Sequence, residues 1–213
     1  MRNLLSLLRS NRIFLLPYAA ILLVSAYFLA RFTKDEIHMS MNAHYSAIGD
    51  LVMPWITYMG DGLVVTVLVL LLFAINRNYA FFTGISCLVA SGITQLLKHT
   101  YYYGVPRPAY EFPGKLHLIH GLKNYLYDTF PSGHSTLAFA FFFSLAIGAE
   151  KNWVKMLFLF CAFLVAWSRI YLSQHFLEDT FAGSIIGTIT ALVVFAFALH
   201  YEKVKLPALK FSR

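Results

Sequence analysis

The sequence predicts an all-α membrane protein, a polytopic helical bundle of about six transmembrane helices in a single membrane domain of residues 1–213. Hydrophobic residues make up 59% of the chain and charged residues only 13%, about half the charged fraction of an ordinary soluble domain. The apolar residues also form long uninterrupted runs. A bilayer accommodates such runs, whereas a soluble domain of this length could not bury them.

The apolar runs define six predicted spans. They are Ile13–Ala30, Trp55–Ile75, Tyr79–Leu97, Ser135–Ala149, Trp153–Trp167 and Phe181–His200. The first run lacks the small-x-small cleavage site of a signal peptide, and further apolar runs follow it, so we expect a retained helix. The core of the second, Leu63–Ile75, is too short to cross a bilayer alone and is therefore extended to Trp55. Residues 42–56 are expected to form a loop or a short interfacial helix.

Lysine and arginine are distributed unevenly about these spans. With the N-terminus inside, ten of them lie on the inner side and seven on the outer side, which also holds eight acidic residues. Cytoplasmic loops are enriched in Lys and Arg, so we expect both termini in the cytoplasm and the loop 98–134 outside. The inner set includes Lys203, Lys205, Lys210 and Arg213. The net charge of +7 forms no basic stripe, which argues against nucleic-acid binding.

This orientation brings most of the reactive polar residues to the outer ends of the third to sixth spans. Three cations, Lys98, Arg107 and Arg169, could together neutralise a phosphoryl group. Ser132 and Gly133 begin a helix, where free backbone N–H groups favour an anion. The pattern predicts a phosphate-handling site without a metal, since no His, Cys or carboxylate residues have ligand spacing.

Two histidines of this cluster could carry the chemistry. His175 and Asp179 are spaced i, i+4, so in a helix the carboxylate could orient the imidazole as a nucleophile. His134 could protonate a leaving oxygen. Each residue alone has a structural alternative, such as Lys98 and Arg169 serving only as cations at helix C-termini. The coincidence of all of them at one membrane face favours the catalytic interpretation.

Three stretches, KHTYYYGVPRP, PSGH and SRIYLSQHFLED, resemble the signature blocks of the type 2 phosphatidic acid phosphatase superfamily. In the third block Ser168, Arg169, His175 and Asp179 match without a gap, and the second block matches fully at Pro131–His134. The first block departs from the family, because eight residues separate its lysine from its arginine instead of the usual six.

The resemblance covers about residues 60–200 and implies a mechanism that needs no metal and no cofactor. His175 would attack phosphorus, Asp179 would hold the other imidazole nitrogen, and His134 would act as the general acid. The residues implied to bind the phosphate are Lys98, Arg107, Ser132, Gly133 and Arg169. A phosphohistidine would form and then be hydrolysed.

The expected substrate is a lipid phosphate or diphosphate of the undecaprenyl diphosphate, phosphatidylglycerol phosphate, phosphatidic acid or lipid A type, hydrolysed at the extracytoplasmic face. A lipid-to-lipid phosphotransferase that uses the same site is the main alternative. A transporter is less favoured, because the predicted helix centres carry almost no ionisable residues. The membrane spans also argue against a vanadium haloperoxidase. The short chain without an Asn-x-Ser/Thr sequon favours a bacterial inner membrane, and the oligomeric state is left open.

Residues outside the motifs support fewer conclusions. Asp61 lies near membrane depth, where an acid could be functional or could cap a helix. The loop 108–130 could form a lid or a headgroup site. Cys87 and Cys161 lie within apolar runs and are interpreted as small core residues.

Overall fold

The computed structural model describes residues 2–203, and every regular element in that range is helical. In chain order the helices are α1 (Arg2–Ser10), α2 (Arg12–Arg31), α3 (Lys34–Asn42), α4 (Ala47–Ile56), α5 (Gly62–Leu72), α6 (Arg77–Thr100), α7 (Pro108–Glu111), α8 (Gly133–Gly148), α9 (Asn152–Tyr171) and α10 (Leu177–His200). A 3-10 turn, Thr57–Gly60, joins α4 to the break before α5. Lys205, Lys210 and Arg213 of the predicted inner basic set lie outside the described residues.

Within residues 2–203, four helices are long and apolar enough to cross a membrane, namely α2, α6, α9 and α10. The pair α4 and α5, bent by 56°, is a fifth candidate if it counts as one span. Helix α8 is apolar but has only 16 residues, about 24 Å of helix, which is less than the thickness of a hydrocarbon core. The structure therefore supports four to five spans. The six-span count and the cytoplasmic termini stay predictions.

The predicted second span, Trp55–Ile75, is broken at Asp61. The Asp61 carboxylate accepts hydrogen bonds from the backbone N–H groups of Leu63 at 2.9 Å and Val64 at 3.3 Å, and so begins α5. This contact favours the capping interpretation of Asp61. The short helix expected within residues 42–56 is present as α4.

Helix α8 is the core of the bundle. It contacts α6, α9 and α10 and is apolar on all sides, which is the pattern of a helix buried within a bundle. Phe139 and Phe143 are fully buried, and the ring of Phe14 lies 4.8 Å from that of Phe143. Cys87 is buried and Cys161 half-buried as free thiols, as expected of small core residues.

Two glycines allow α10 to approach α8 closely. A Cβ atom at Gly187 would overlap the backbone oxygen of Thr136 and the backbone nitrogen of Ala140, and one at Gly183 would overlap the start of α8. Small residues at helix contacts permit this kind of backbone approach. Helix α6 also contacts this part of α8, since Thr94 Oγ1 donates to Thr136 Oγ1 at 3.0 Å. The helix contacts thereby determine where the N-terminal end of α8 lies.

We expect Gly187→Ala to destabilise the protein by about 1–3 kcal/mol, because the added methyl group has no space between the two backbones. The measurement is thermal unfolding in detergent micelles. Gly92→Ala in α6 is the matched control, since a Cβ atom there meets nothing within 4 Å. Alanine also favours a helix over glycine, so the control should unfold at the same temperature or slightly higher. Equal unfolding temperatures for the two variants would contradict the close contact.

Candidate active site

The start of α8 is held against the start of α10. Ser132 is the N-cap of α8, and its Oγ accepts from the backbone N–H of Ser135 at 3.4 Å, as the capping interpretation predicted. The backbone N–H of Ser132 donates to the backbone oxygen of Asp179 at 3.0 Å. The first turn of α8, with Gly133 and His134, therefore lies beside the beginning of α10. The N–H groups of Gly133 and His134 have no partner within the helix and are available to an anion.

His175 and Asp179 form a buried pair. His175 Nδ1 lies 3.2 Å from Asp179 Oδ2, and the two side chains are 2% and 0% exposed. The spacing predicted that both residues lie in one helix, but α10 begins only at Leu177, so His175 lies in the turn before it. Asp179 Oδ2 accepts from the backbone N–H of Phe176 at 2.8 Å and thereby caps the start of α10. The contact at Nδ1 leaves Nε2 as the ring nitrogen available for chemistry.

Three cations lie close to this pair and are almost wholly buried. Lys98 is 8% exposed, Arg107 8% and Arg169 7%. Within residues 2–203, none of them forms an ion pair with a carboxylate. Buried charges without a counter-charge are costly, so this cluster suits an anionic ligand. Over the same residues, no group of three His, Cys, Asp or Glu side chains is placed to hold a metal ion.

The electrostatic environment favours a neutral His175. Burial, and then the positive charges of Arg107, Arg169 and Lys98, hold the pKa of His175 well below its ordinary value. The imidazole is therefore unprotonated at neutral pH. A neutral imidazole with a free Nε2 lone pair can act as a nucleophile.

Arg107 joins the cluster despite the longer spacing of the first motif. Its guanidinium donates to three backbone oxygens, those of Tyr127 at 2.8 Å, Gln174 at 2.9 Å and Asp128 at 3.2 Å. The additional residues lie in the loop between α6 and α8, and these bonds bring the guanidinium back to the turn that carries His175. Arg107 consequently organises the loop with part of its donors and has the rest for a ligand.

Arg169, in the last turn of α9, is oriented by the segment between α4 and α5. Its Nη1 donates to Thr57 Oγ1 at 2.8 Å. Its Nε is buried and has no hydrogen-bond partner among the described residues. A buried donor without an acceptor is destabilising, so an oxygen of a bound anion is a suitable partner for Nε.

Two threonines of the site were missed by the sequence analysis. Thr57 holds Arg169, and Thr129 Oγ1 donates to Asp179 Oδ2 and lies 3.3 Å from His175 Nδ1. Thr129 is three residues before Ser132, and this proximity to a motif was the only available signal. Thr57 has no such signal, because it lies 112 residues from Arg169 in the sequence.

The loop 108–130, expected to be a lid or a headgroup site, is anchored to α3 and α4. Asn42 exchanges two hydrogen bonds with the backbone of His117, at 2.8 and 3.0 Å. His117 Nε2 lies 2.9 Å from Asp50 Oδ2. Asn42 also donates to Ser173 Oγ at 3.1 Å, in the turn before His175. The loop and the turn that carries His175 therefore share one anchoring network.

Residues 79–202 match a family model described as the PAP2 superfamily. A Drosophila melanogaster protein, whose name proposes a phosphatidate phosphatase, is 36% identical over 77 residues, which are 31% of this chain and 20% of its own. YbjG of Escherichia coli (strain K12), whose name proposes an undecaprenyl-diphosphatase, is 35% identical over 65 residues, 30% of this chain and 32% of its own. The chain thus matches about a fifth and a third of the lengths of these curated relatives.

Two solved structures are similar over most of their length. LpxE of Aquifex aeolicus has a TM-score of 0.67 and 26% identity, over 75% of this chain and 93% of LpxE. A transmembrane PAP2-type phosphatidylglycerolphosphate phosphatase from Bacillus subtilis has a TM-score of 0.66 and 20% identity, over 96% of this chain and 98% of its own. The second similarity, at its low identity, concerns the fold alone.

We expect orthovanadate to raise the melting temperature of the solubilised protein, because it is an anion that fits three buried cations. Stabilisation by a bound ligand reaches about 2.7 kcal/mol at 100 times its Kd. Arg169→Gln should lose most of the rise. Lys115→Gln, at an exposed cation of the loop 108–130, should keep the rise. If vanadate raised the melting temperatures of the two variants equally, it would bind away from Arg169.

Proposed function

The chain belongs to the PAP2 superfamily, and on that premise we propose that it is a metal-independent phosphatase of lipid phosphates or diphosphates. The proposal rests on one arrangement, three buried cations around a neutral imidazole that is hydrogen-bonded to a buried carboxylate. The names of the two sequence relatives support a lipid substrate. So do the apolar helices that surround the site, since a substrate with acyl or polyprenyl tails is soluble in the same bilayer.

The phosphate would bind between the starts of α8 and α10 and the end of α9. Arg169 Nε and Lys98 Nζ would each donate to a phosphoryl oxygen, with Arg107 supplying the donors that the loop does not use. The Ser132 side chain and the Gly133 amide would complete the cradle at the helix start. Positive groups arranged before the reaction stabilise the charge that develops on the equatorial oxygens in the transition state.

His175 Nε2 would attack phosphorus in line with the bond to the leaving oxygen. As the N–P bond forms, the P–O bond breaks, and His134 would donate to the departing oxygen of the lipid alcohol or lipid phosphate a proton that it takes up from water when the anionic substrate offsets the nearby positive charges. Asp179 would stabilise the positive charge on the imidazole of His175 through Nδ1. The products of this step are the free lipid and a phosphohistidine.

Water would complete the cycle. His134, now unprotonated, takes a proton from a water molecule that attacks phosphorus, and the N–P bond breaks to return neutral His175 and inorganic phosphate. The positive side chains do what a divalent metal does in many phosphoryl-transfer enzymes, so no metal is needed for charge neutralisation.

We further propose that the protein resides in a bacterial inner membrane with six spans, both termini in the cytoplasm and the site facing outward, on the basis of the charge distribution of the sequence.

The purified protein should release phosphate from at least one lipid of a ³²P-labelled panel of phosphatidic acid, phosphatidylglycerol phosphate and undecaprenyl diphosphate, in the presence of EDTA. When the reaction is quenched early without acid, the protein should carry ³²P label, and later treatment with acid should remove this label. His175→Ala should abolish turnover and label, because the nucleophile is lost. His134→Ala should hydrolyse the lipid more slowly by roughly 10²–10⁴-fold. The decrease in rate should be much smaller with p-nitrophenyl phosphate, because its leaving group needs no proton.

Asp179→Asn is a control that should keep the fold but impair the nucleophile. In Ser-His-Asp triads the same substitution leaves the imidazole in the wrong tautomer and reduces the rate strongly. Label that persists in His175→Ala and vanishes in His134→Ala would reverse the two roles. Activity that EDTA removes and a divalent metal restores would refute metal independence. Label that moves to a second lipid instead of to phosphate would identify a phosphotransferase.

The proposed orientation predicts accessibility at single cysteines placed in a background with Cys87→Ala and Cys161→Ala. Lys115→Cys in the outer loop should react with a membrane-impermeant thiol reagent added to intact cells. Glu150→Cys, between α8 and α9, should react only after the cells are opened. Both positions are exposed on the protein, so burial cannot explain a difference. The opposite pattern would place the site in the cytoplasm.

A further inference from the structure

Thr129 makes side-chain contact with both members of the His175–Asp179 pair, although it belongs to neither helix that carries the motifs. It lies in the outer loop, is 1% exposed, and its backbone N–H donates to Val105 O at 3.2 Å. Its hydroxyl donates to Asp179 Oδ2 and lies 3.3 Å from His175 Nδ1. The hydroxyl is therefore within reach of both partners of the bond that orients the imidazole.

We propose that Thr129 is a positioning residue that holds His175 in the tautomer with its proton on Nδ1. This inference rests on the proposed function, in which Nε2 of His175 attacks phosphorus. The Thr129 hydroxyl proton is committed to Asp179 Oδ2, so the same oxygen can only accept from His175 Nδ1. Asp179 Oδ2 likewise only accepts. Every atom facing Nδ1 is thus an acceptor, and the ring proton is drawn to that nitrogen.

The carboxylate needs this third contact because its hydrogen bonds are one-sided. Asp179 Oδ2 receives the backbone N–H of Phe176 at 2.8 Å, the Thr129 hydroxyl and His175 Nδ1, whereas the buried Oδ1 has no partner among residues 2–203. Without the hydroxyl, the carboxylate would have one donor fewer to keep Oδ2 directed at the ring. Rotation of the carboxylate would then allow the proton to move to Nε2 and block attack.

Thr129 also connects the nucleophile to the loop that carries Arg107. Asp128, the preceding residue, accepts from Arg107 Nη2 at 3.2 Å through its backbone oxygen and from the Gly104 N–H at 2.9 Å through its side chain. A loop that is correctly folded around Arg107 therefore places the Thr129 hydroxyl on Asp179. In this way the phosphate-binding loop and the tautomer of His175 depend on one short segment.

The test compares Thr129→Val, which keeps the shape but loses the hydroxyl, with Thr129→Ser, which keeps the hydroxyl. Thr83→Val is the matched control, because Thr83 is also fully buried, its hydroxyl has no partner among the described residues, and it lies in the first turns of α6. Thr129→Ala takes the place of the valine variant if valine prevents folding. Nitrogen-15 NMR of the histidine rings in detergent, with His175→Asn for assignment, reads the tautomer without any substrate.

We expect the wild type, Thr129→Ser and Thr83→Val to show His175 with its proton on Nδ1, and Thr129→Val to show a mixture of tautomers. The rate of protein labelling by a ³²P-lipid should fall in Thr129→Val by on the order of 10–100-fold, by analogy with the loss of a partner that orients a metal-binding histidine. KM should change little, since Thr129 does not touch the phosphate. Thr129→Ser should recover most of the rate.

A wild-type tautomer and rate in Thr129→Val would overturn the inference, as would a serine variant that is as slow as the valine variant. Both results leave the phosphatase proposal intact if the wild type releases phosphate. A wild type that releases no phosphate from any lipid would instead refute the phosphatase proposal. The tautomer spectrum would still decide whether Thr129 positions His175.

Discussion

The close contact between α8 and α10 determines the geometry on which the site depends. Gly183 and Gly187 leave no side chain between the two backbones, and the Ser132 N–H bonds to the Asp179 oxygen where the helices begin. Helix α8 carries His134 and α10 carries Asp179, so a packed interface sets the distance between the candidate acid and the dyad. Packed interiors resist deformation more than loops do. Precise catalytic groups are therefore best placed on such elements.

The second constraint is the burial of positive charge. Arg107 and Arg169 are held by neutral partners, namely backbone oxygens around Arg107 and the Thr57 hydroxyl beside Arg169. Neutral partners satisfy some donors but leave the charges in place. The remaining positive charges lower the free energy of unfolding, because burying a charge without a counter-charge is unfavourable. In the proposed site the same charges would attract a phosphate strongly because the dielectric is low, so stability would be exchanged for binding.

The supporting structure extends beyond the segment that matches the family. Residues before position 79 supply Thr57 to Arg169, Asn42 to Ser173, and Asp50 to Tyr171 Oη at 2.7 Å. Through these hydrogen bonds α3 and α4 contact the end of α9 and the turn that follows it. Substitutions in this N-terminal segment would alter the site through the position of Arg169 and His175, although none of its residues lies in a motif.

The amino-acid sequence by itself determined the features that depend on near neighbours. Long apolar runs specify α2, α6, α9 and α10, Ser132 caps α8 as its side chain predicts, and four residues of spacing bring Asp179 to His175. Composition also identified the membrane as the solvent, because the hydrophobic effect acts on every residue wherever the chain leads.

Tertiary structure alone decided the features that join distant segments. How the helices pack decides the bend at Asp61, the burial of most of the short α8 and the hydrogen bonds of Arg107 to its loop. Thr129 reaches Asp179 across 50 residues and Thr57 reaches Arg169 across 112. A hydroxyl has no pattern that reveals its partner, since a hydrogen bond requires proximity in space and helical periodicity describes only proximity along the chain.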